Sequence, residues 1–204
     1  MKKVLVILII VTVFTFIFAQ PVSADTRLYA GNLRNSAYGV QATISTPSSK
    51  PYLESGAHES NWIGPNTSYW VQTGWITWPS ISNAHSYVEV VWTGLRFYQE
   101  YDIQNWGTDR QYKVQYEFGW AAYIGGVWKG MWGGGGLPNP PVQVAGLSEV
   151  HNSSYSTLDT WFKYIQWKNS SGTYNNFDQS LWVEQGTYHV QKNFLWYYKT
   201  YGPQ

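Results

Sequence analysis

Cysteine is missing altogether from this chain of 204 residues. Its absence excludes a disulfide framework, a thiol nucleophile and a cysteine-ligated zinc site. Charge is also scarce, since Asp, Glu, Lys and Arg make up 12% of the residues and the formal net charge is +1. No stretch collects Lys and Arg into a basic stripe, so we do not expect nucleic acid as a partner.

Long apolar runs are confined to the N-terminus. Lys2 and Lys3 precede an apolar stretch over 4–18 that is too short to span a membrane comfortably. The small residues at 22–24 (VSA) resemble a cleavage site. This pattern predicts a signal peptide over 1–24 and a secreted product with no membrane anchor after the peptide is removed. The mature chain, 25–204, is then expected to form one domain of undefined oligomeric state.

Aromatic residues are plentiful, with 13 Trp and 17 Tyr. Large rings bury much area per residue, so a secreted domain without disulfides can build its core from them. Because charges are few, most polar contacts must come from Asn, Gln, Ser and Thr.

Short alternating segments separated by turns run through the chain, with no convincing helix and no internal repeat. Such segments predict an all-β fold, either an antiparallel sandwich or a barrel. In 112–118 the alternation places Tyr112 and Phe118 inward. Residues 133–141 (GGGGLPNPP) form either a flap over a bound peptide or, as we prefer, an ordinary surface connection. The predicted strands are 37–46, 58–64, 68–79, 87–92, 95–101, 112–118, a pair within 120–132, 142–150, 158–168 and 187–199.

The segment 68–79 (SYWVQTGWITWP) is the predicted strand around which the rest can be arranged. Alternation puts Trp75 on one face and Trp70, Gln72 and Gly74 on the other. Gln72 is then an amide among aromatic rings, and a glycine inside a strand often marks the close approach of a ligand or another backbone. Most strand glutamines are surface residues, so a second segment is needed to support a groove here.

That second segment contains Glu149, the only full charge between Lys129 and Asp159. A carboxylate with little water and no cation beside it has a raised pKa, as expected of a proton-transferring acid. The alternative is that Glu149 faces solvent or pairs with a distant Lys or Arg. His151 lies on the same strand face, where it could tune this acid or bind substrate, or could simply be a polar edge residue.

Other hydrolytic chemistries lack their residues. The pair His58-Glu59 has no second histidine of an H-E-x-x-H zinc site. The run 146–148 (GLS) lacks the closing glycine of a nucleophile elbow. We therefore expect neither a metal nor another cofactor.

Several segments, in their order along the chain, resemble a known family. Residues 39–46 (GVQATIST), 60–64 (SNWIG) and 71–74 (VQTG) resemble the opening half of the eqolisins, a family of glutamic peptidases. Residues 146–152 (GLSEVHN) and 161–166 (WFKYIQ) are similar to the neprosin branch, which has G-G-E-V-x-N-S and then Y-F-x-x-I-Q.

The resemblance implies an antiparallel double-sheet β-sandwich with a concave groove on one sheet. It also implies a secreted endopeptidase that hydrolyses polypeptides with a Glu-activated water, without a metal or a covalent intermediate. Glu149 matches the catalytic glutamate, and Gln72 matches its eqolisin glutamine partner, which neprosins replace with Glu. Trp62 matches a tryptophan that walls the eqolisin groove. The predicted substrate-binding residues are Trp62, Trp70, Gly74 and His151.

The chain also departs from the family pattern. Pro65 and Asn66 stand where eqolisins have an acidic turn, the disulfide of fungal members is missing, and no Trp lies beside Glu149. The resemblance therefore implies neither a pH optimum nor a substrate preference, including the preference of neprosin for proline.

A rival class is a secreted carbohydrate-binding module. Exposed tryptophans on a β-sandwich stack well on sugars, and this chain combines many tryptophans with few charges. Such a module would need no lone carboxylate on a strand facing Gln72.

Overall fold

The computed structural model describes residues 26–203. The predicted signal peptide over 1–24 and its boundary at Asp25 lie outside these residues. None of the described residues belongs to a helix long and apolar enough to cross a bilayer. In chain order the strands are β1 (Arg27–Ala37), β2 (Gly39–Ser45), β3 (His58–Pro65), β4 (Trp70–Thr77), β5 (Ala84–Trp92), β6 (Leu95–Gln104), β7 (Asp109–Tyr116), β8 (Trp120–Ile124), β9 (Val127–Trp132), β10 (Val142–His151), β11 (Asp159–Lys168), β12 (Tyr174–Asn176), β13 (Leu181–Glu184), β14 (His189–Phe194) and β15 (Tyr197–Tyr201).

Two antiparallel sheets pack as an open sandwich. The first has seven strands in the order β13-β1-β10-β3-β4-β5-β6. The second has eight, of which seven follow the order β14-β15-β11-β2-β7-β8-β9 while β12 pairs with β11. Neither order returns to its first strand, so the described strands do not close into a barrel. The predicted all-β double-sheet sandwich is confirmed.

The core lies between the two sheets and is built from alternate residues of the central strands. On β4, Val71 and Trp75 are fully buried in this core. On β11 and β15, the rings of Phe162 and Tyr198 stack with centroids 5.1 Å apart. Trp70 has its side chain on the opposite face of β4, so the predicted alternation along this strand is confirmed.

Strand β1 was not predicted, although it lies in the middle of the first sheet between β13 and β10. Polar residues interrupt its apolar alternation. Asn32 is nevertheless fully buried, because its side-chain amide donates to the backbone carbonyls of Gln179 and Leu195 at 3.1 and 3.2 Å. A buried polar side chain that satisfies distant backbone groups leaves no signal in local periodicity.

Two further predictions were wrong in detail. The segment 187–199 contains two strands, β14 and β15, rather than one. Phe118, expected to point inward, is 97% exposed, because β7 ends at Tyr116 and Phe118 lies in the turn before β8.

Residues 133–141 are an anchored connection. The backbone N–H and the hydroxyl of Thr93 donate to the carbonyl of Gly135 at 2.8 and 2.7 Å. The indole of Trp120 donates to the carbonyl of Pro138 at 2.7 Å. None of residues 133–141 lines the cavity described below, so the surface connection fits the structure better than the flap.

One polar cluster is buried inside the sandwich around Glu59 of β3, which has no exposed surface. Its Oε1 accepts a hydrogen bond from the Asn61 amide at 2.7 Å. Among residues 26–203, its Oε2 has no hydrogen-bond partner, and neither do the buried hydroxyls of Thr77 and Thr160. Burial raises the pKa of Glu59 to about 8. The sandwich therefore contains a carboxyl group that is protonated in the fold across a wide pH range.

Candidate active site

A cavity of about 540 Å³ lies on the outer face of the seven-stranded sheet. Its walls come from strands of that sheet and the loops that join them. Of the six predicted site residues, five line it: Gln72, Glu149, Trp62, Trp70 and His151. The structure thus brings together side chains that are far apart in the sequence.

Strand β3 lies between the two predicted catalytic residues. Glu149 of β10 pairs across the sheet with Ser60 of β3. On the other side of β3, Gln72 of β4 packs against Gly64, four residues along from Ser60. Trp62 lies between Ser60 and Gly64 along β3, and its side chain points to the same face of the sheet as that of Ser60. Glu149 and Gln72 therefore lie on the same face of one sheet, and Trp62 lies between them along β3.

Glu149 is only 4% exposed, and hydrogen-bond donors surround its carboxylate. Oε1 lies 2.6 Å from His151 Nε2, accepts from the Tyr29 hydroxyl at 3.1 Å, and lies 3.6 Å from Arg27 Nη1. Oε2 accepts from the Trp62 indole at 3.0 Å. Four groups from three strands thus hold one carboxylate.

The raised pKa predicted for Glu149 is wrong. Burial alone would raise the pKa, but the hydrogen bond and charge of His151, the charge of Arg27 and the Trp62 indole together lower it below the ordinary value. His151, the largest of the lowering influences, lies two residues away on the same strand face, whereas Arg27 precedes Glu149 by more than a hundred residues and could be placed only by the fold. The lowered pKa favours the carboxylate form of Glu149, in which both oxygens are hydrogen-bond acceptors.

Gln72 already uses both hydrogens of its amide. Its Nε2 donates to Glu89 Oε2 at 2.7 Å and to the Tyr87 hydroxyl at 3.2 Å. Glu89 in turn accepts from Arg96 at 2.6 Å. Burial holds the pKa of Tyr87 well above its usual range, so this phenol stays protonated. The Gln72 end of the cavity is thus a linked set of polar groups rather than a single amide.

The other predicted substrate-binding residues fall into two groups. Trp62 and Trp70 wall the cavity, and the Trp70 indole N–H has no hydrogen-bond partner within the described part of the chain. Gly74 does not line the cavity. A Cβ at Gly74 would come within 1.8 Å of the Asn61 carbonyl oxygen, so the glycine permits the close approach of β3.

Sequence reasoning missed other residues that line the cavity, among them the titratable Arg27, Tyr29, His58, Tyr87, Glu89 and Arg96. His58 could have been found, because it precedes Ser60 and Trp62 at the two-residue spacing of one strand face. Its ring stacks on that of His151 with centroids 3.8 Å apart. The others depend on strand pairings that local sequence does not reveal.

No three His, Asp, Glu or Cys side chains within residues 26–203 group closely enough to hold a metal ion. The side chains that line the cavity include carboxylates, imidazoles, guanidinium groups, phenols and amides.

This architecture is the fold of the glutamic peptidases. Two structures of scytalido-glutamic peptidase with bound transition-state analogues match it at TM-scores of 0.69 and 0.65, with 14% and 12% sequence identity. SCP-B, a member of the eqolisin family solved with the tripeptide Ala-Ile-His, matches at a TM-score of 0.63 and 12% identity. Each match covers 88% of this chain and 100% of the other.

No protein-family model and no curated protein sequence matches the chain. The resemblance to the eqolisins is confirmed as a likeness of fold, and the resemblance to the neprosin branch stays a prediction. The activity has to be argued from the site itself.

Proposed function

We propose that this protein is a secreted endopeptidase that hydrolyses polypeptides with a water molecule activated by Glu149. The proposal rests on one observation: the Glu149 carboxylate, whose pKa is lowered by the hydrogen-bond donors around it, lies in the cavity of a glutamic-peptidase fold. The related structures contain peptide-based or transition-state ligands, which supports a polypeptide as the substrate class.

Glu149 Oε2 is the atom that would take the proton. A carboxylate oxygen has two lone pairs, and Oε2 uses one of them for the Trp62 indole. The second is available for a water molecule, which attacks the scissile carbonyl carbon as Glu149 accepts its proton. When the carbon–nitrogen bond breaks, the same proton passes to the leaving nitrogen, so the carboxylate is regenerated.

The Gln72 amide would stabilise the oxyanion that forms on the carbonyl oxygen. Its longer hydrogen bond, to the Tyr87 hydroxyl at 3.2 Å, is the one we expect to be exchanged for this contact. The bond to Glu89 at 2.7 Å would keep the amide oriented. A donor placed in advance at the developing charge is the usual source of such stabilisation.

The decisive test is Glu149→Gln, which keeps the shape of the side chain and removes its basicity. We expect hydrolysis of a denatured protein to fall by roughly 10²-fold or more, with an unchanged circular dichroism spectrum. Glu117→Gln, a change in an exposed side chain of the turn between β7 and β8, is the matched control and should keep full activity. Retained activity in Glu149→Gln would refute the proposal, and loss of activity on adding a chelator would contradict the metal-free mechanism.

A sugar-binding role is the second candidate, and it rests on a different surface. The ring of Trp196 stacks on Phe194 and on Tyr164, with centroids 5.1 and 5.9 Å apart. Phe194 and Tyr164 are 60% and 61% exposed on the second sheet, away from the cavity. Retention of the protein on an insoluble polysaccharide, lost in Tyr164→Ala and kept in Glu149→Gln, would support this role. No retention on any tested polysaccharide would exclude it for those glycans.

A further inference from the structure

Every group around the Glu149 carboxylate favours its ionised form. Trp62 and Arg27 can only donate hydrogen bonds, since neither an indole nor a guanidinium has an acceptor. A proton on Oε2 would therefore leave the Trp62 N–H without an equally good partner. The shortest contact, 2.6 Å, joins Oε1 to His151 Nε2, which makes His151 the main partner of this carboxylate.

We propose that His151 is a positioning residue of the hydrolytic reaction, whose Nε2 holds Oε1 of Glu149 and so aims the Oε2 of that carboxylate at the attacking water. This inference rests on the proposed function. His151 acts through Glu149 and neither gives nor takes a proton in the cycle, because the proton that leaves the water travels to Glu149 and then to the leaving nitrogen.

The surroundings of His151 support this assignment. From β1, Tyr29 and Arg27 approach the carboxylate it contacts. From β3, the His58 ring stacks on it at 3.8 Å and 24°, which fixes the plane of the imidazole.

The balance at Glu149 shows what His151 contributes. Burial is the largest single influence on the pKa of Glu149 and raises it, and the hydrogen bond and charge of His151 are the largest influences that lower it. Without His151, less would oppose the effect of burial, and the pKa of Glu149 would rise. The free base needed for the first step would then be lost on the acidic side of the activity profile.

The test is the pH dependence of kcat/KM in wild type and His151→Gln. Glutamine can still donate a hydrogen bond to Glu149 but has no charge. We expect the acidic limb of the profile to move to higher pH by about one to three units, the usual effect of one neighbouring charge. The plateau at higher pH should change by only a few fold. At a pH on the acidic limb of the wild-type profile, kcat/KM of His151→Gln should therefore be at least about tenfold lower than that of wild type.

The matched control is His85→Gln. His85 also pairs with a glutamate, Glu100, at 2.5 Å on the same sheet, but it does not line the cavity. Its profile should match that of wild type. If His151→Gln folds poorly, Arg27→Gln replaces it, because the Arg27 side chain is 43% exposed and its loss should move the limb in the same direction by less.

A second readout keeps this inference separate from the proposed function. Carboxyl ¹³C NMR can follow the titration of Glu149, whose signal is identified by its loss in Glu149→Gln. A titration that shifts to higher pH in His151→Gln supports the inference, and an unchanged titration overturns it. An unmoved acidic limb in His151→Gln, with Glu149→Gln inactive, overturns the inference alone. Activity retained in Glu149→Gln overturns the proposed function instead.

Discussion

Raising the pH should destabilise this protein through the buried carboxyl group of Glu59. The pKa of Glu59 rises from an ordinary 4.5 to about 8 because folding removes the group from water. Below pH 4.5 the carboxyl is protonated in both the folded and the unfolded chain. Between pH 4.5 and 8 only the unfolded chain releases the proton, so the free energy of unfolding falls as the pH rises.

The size of the effect follows from the shift. Each pH unit within this window removes about 1.4 kcal/mol, so the whole window removes on the order of 5 kcal/mol. That is comparable with the total stability of a small domain, about 5–15 kcal/mol. The protein should therefore be much more stable at pH 5 than at pH 8. Groups with a lowered pKa, such as Glu149 and Glu184, act in the opposite direction and do so below this window.

The assay is urea unfolding followed by tryptophan fluorescence at half-unit pH steps from 4.5 to 8.5. Glu59→Gln keeps the shape of the group and cannot ionise, so the difference between the two proteins isolates Glu59. We expect the free energy of unfolding of Glu59→Gln to exceed that of wild type at pH 8, and the gap to close toward pH 5. Glu184→Gln, on a partly exposed strand, should keep the wild-type slope. A wild-type profile that is flat from pH 5 to 8, or an equal slope in Glu59→Gln, would refute the reasoning.

Three other predictions concern the site, the sheet and the N-terminus. Gln72→Ala should lower turnover by roughly 10²–10³-fold, as the loss of an oxyanion donor does; an unchanged kcat would remove Gln72 from the mechanism. Gly74→Ala forces a methyl group against the Asn61 carbonyl and should lower the free energy of unfolding by about 3 kcal/mol or more, whereas Gly133→Ala, whose added Cβ meets nothing closer than 3.8 Å, should be nearly neutral. If the chain is secreted as proposed, mass spectrometry of the exported protein should find an N-terminus at Asp25, and export of the full-length chain would contradict the proposed signal peptide.

Local alternation was enough to predict the elements whose two faces differ most. In β4, Val71 and Trp75 pack between the sheets while Trp70 and Gln72 line the cavity, and both outcomes follow from a period of two. The double-sheet architecture followed from many such strands.

Predictions that depended on distant partners failed. Strand β1 was not predicted, because the buried Asn32 interrupts its apolar alternation and donates its hydrogen bonds to backbone carbonyls far along the chain. The direction of the pKa shift of Glu149 was predicted wrongly because the neighbouring His151 was not counted against burial and because Arg27 reaches the carboxylate through the pairing of β1 with β10. The sequence was enough to identify Glu149 as a candidate, but its neighbours on other strands depend on the register of the sheet.

Strand β3 lies between the cavity and the interior of the sandwich. His58, Ser60 and Trp62 look out onto the cavity, while Glu59 and Asn61 look into the sandwich. The protonated acid of Glu59 and the Trp62 indole that donates to Glu149 are therefore only three residues apart on one strand. We therefore expect a substitution in β3 that changes the pH dependence of stability to change the shape of the cavity as well, and the reverse.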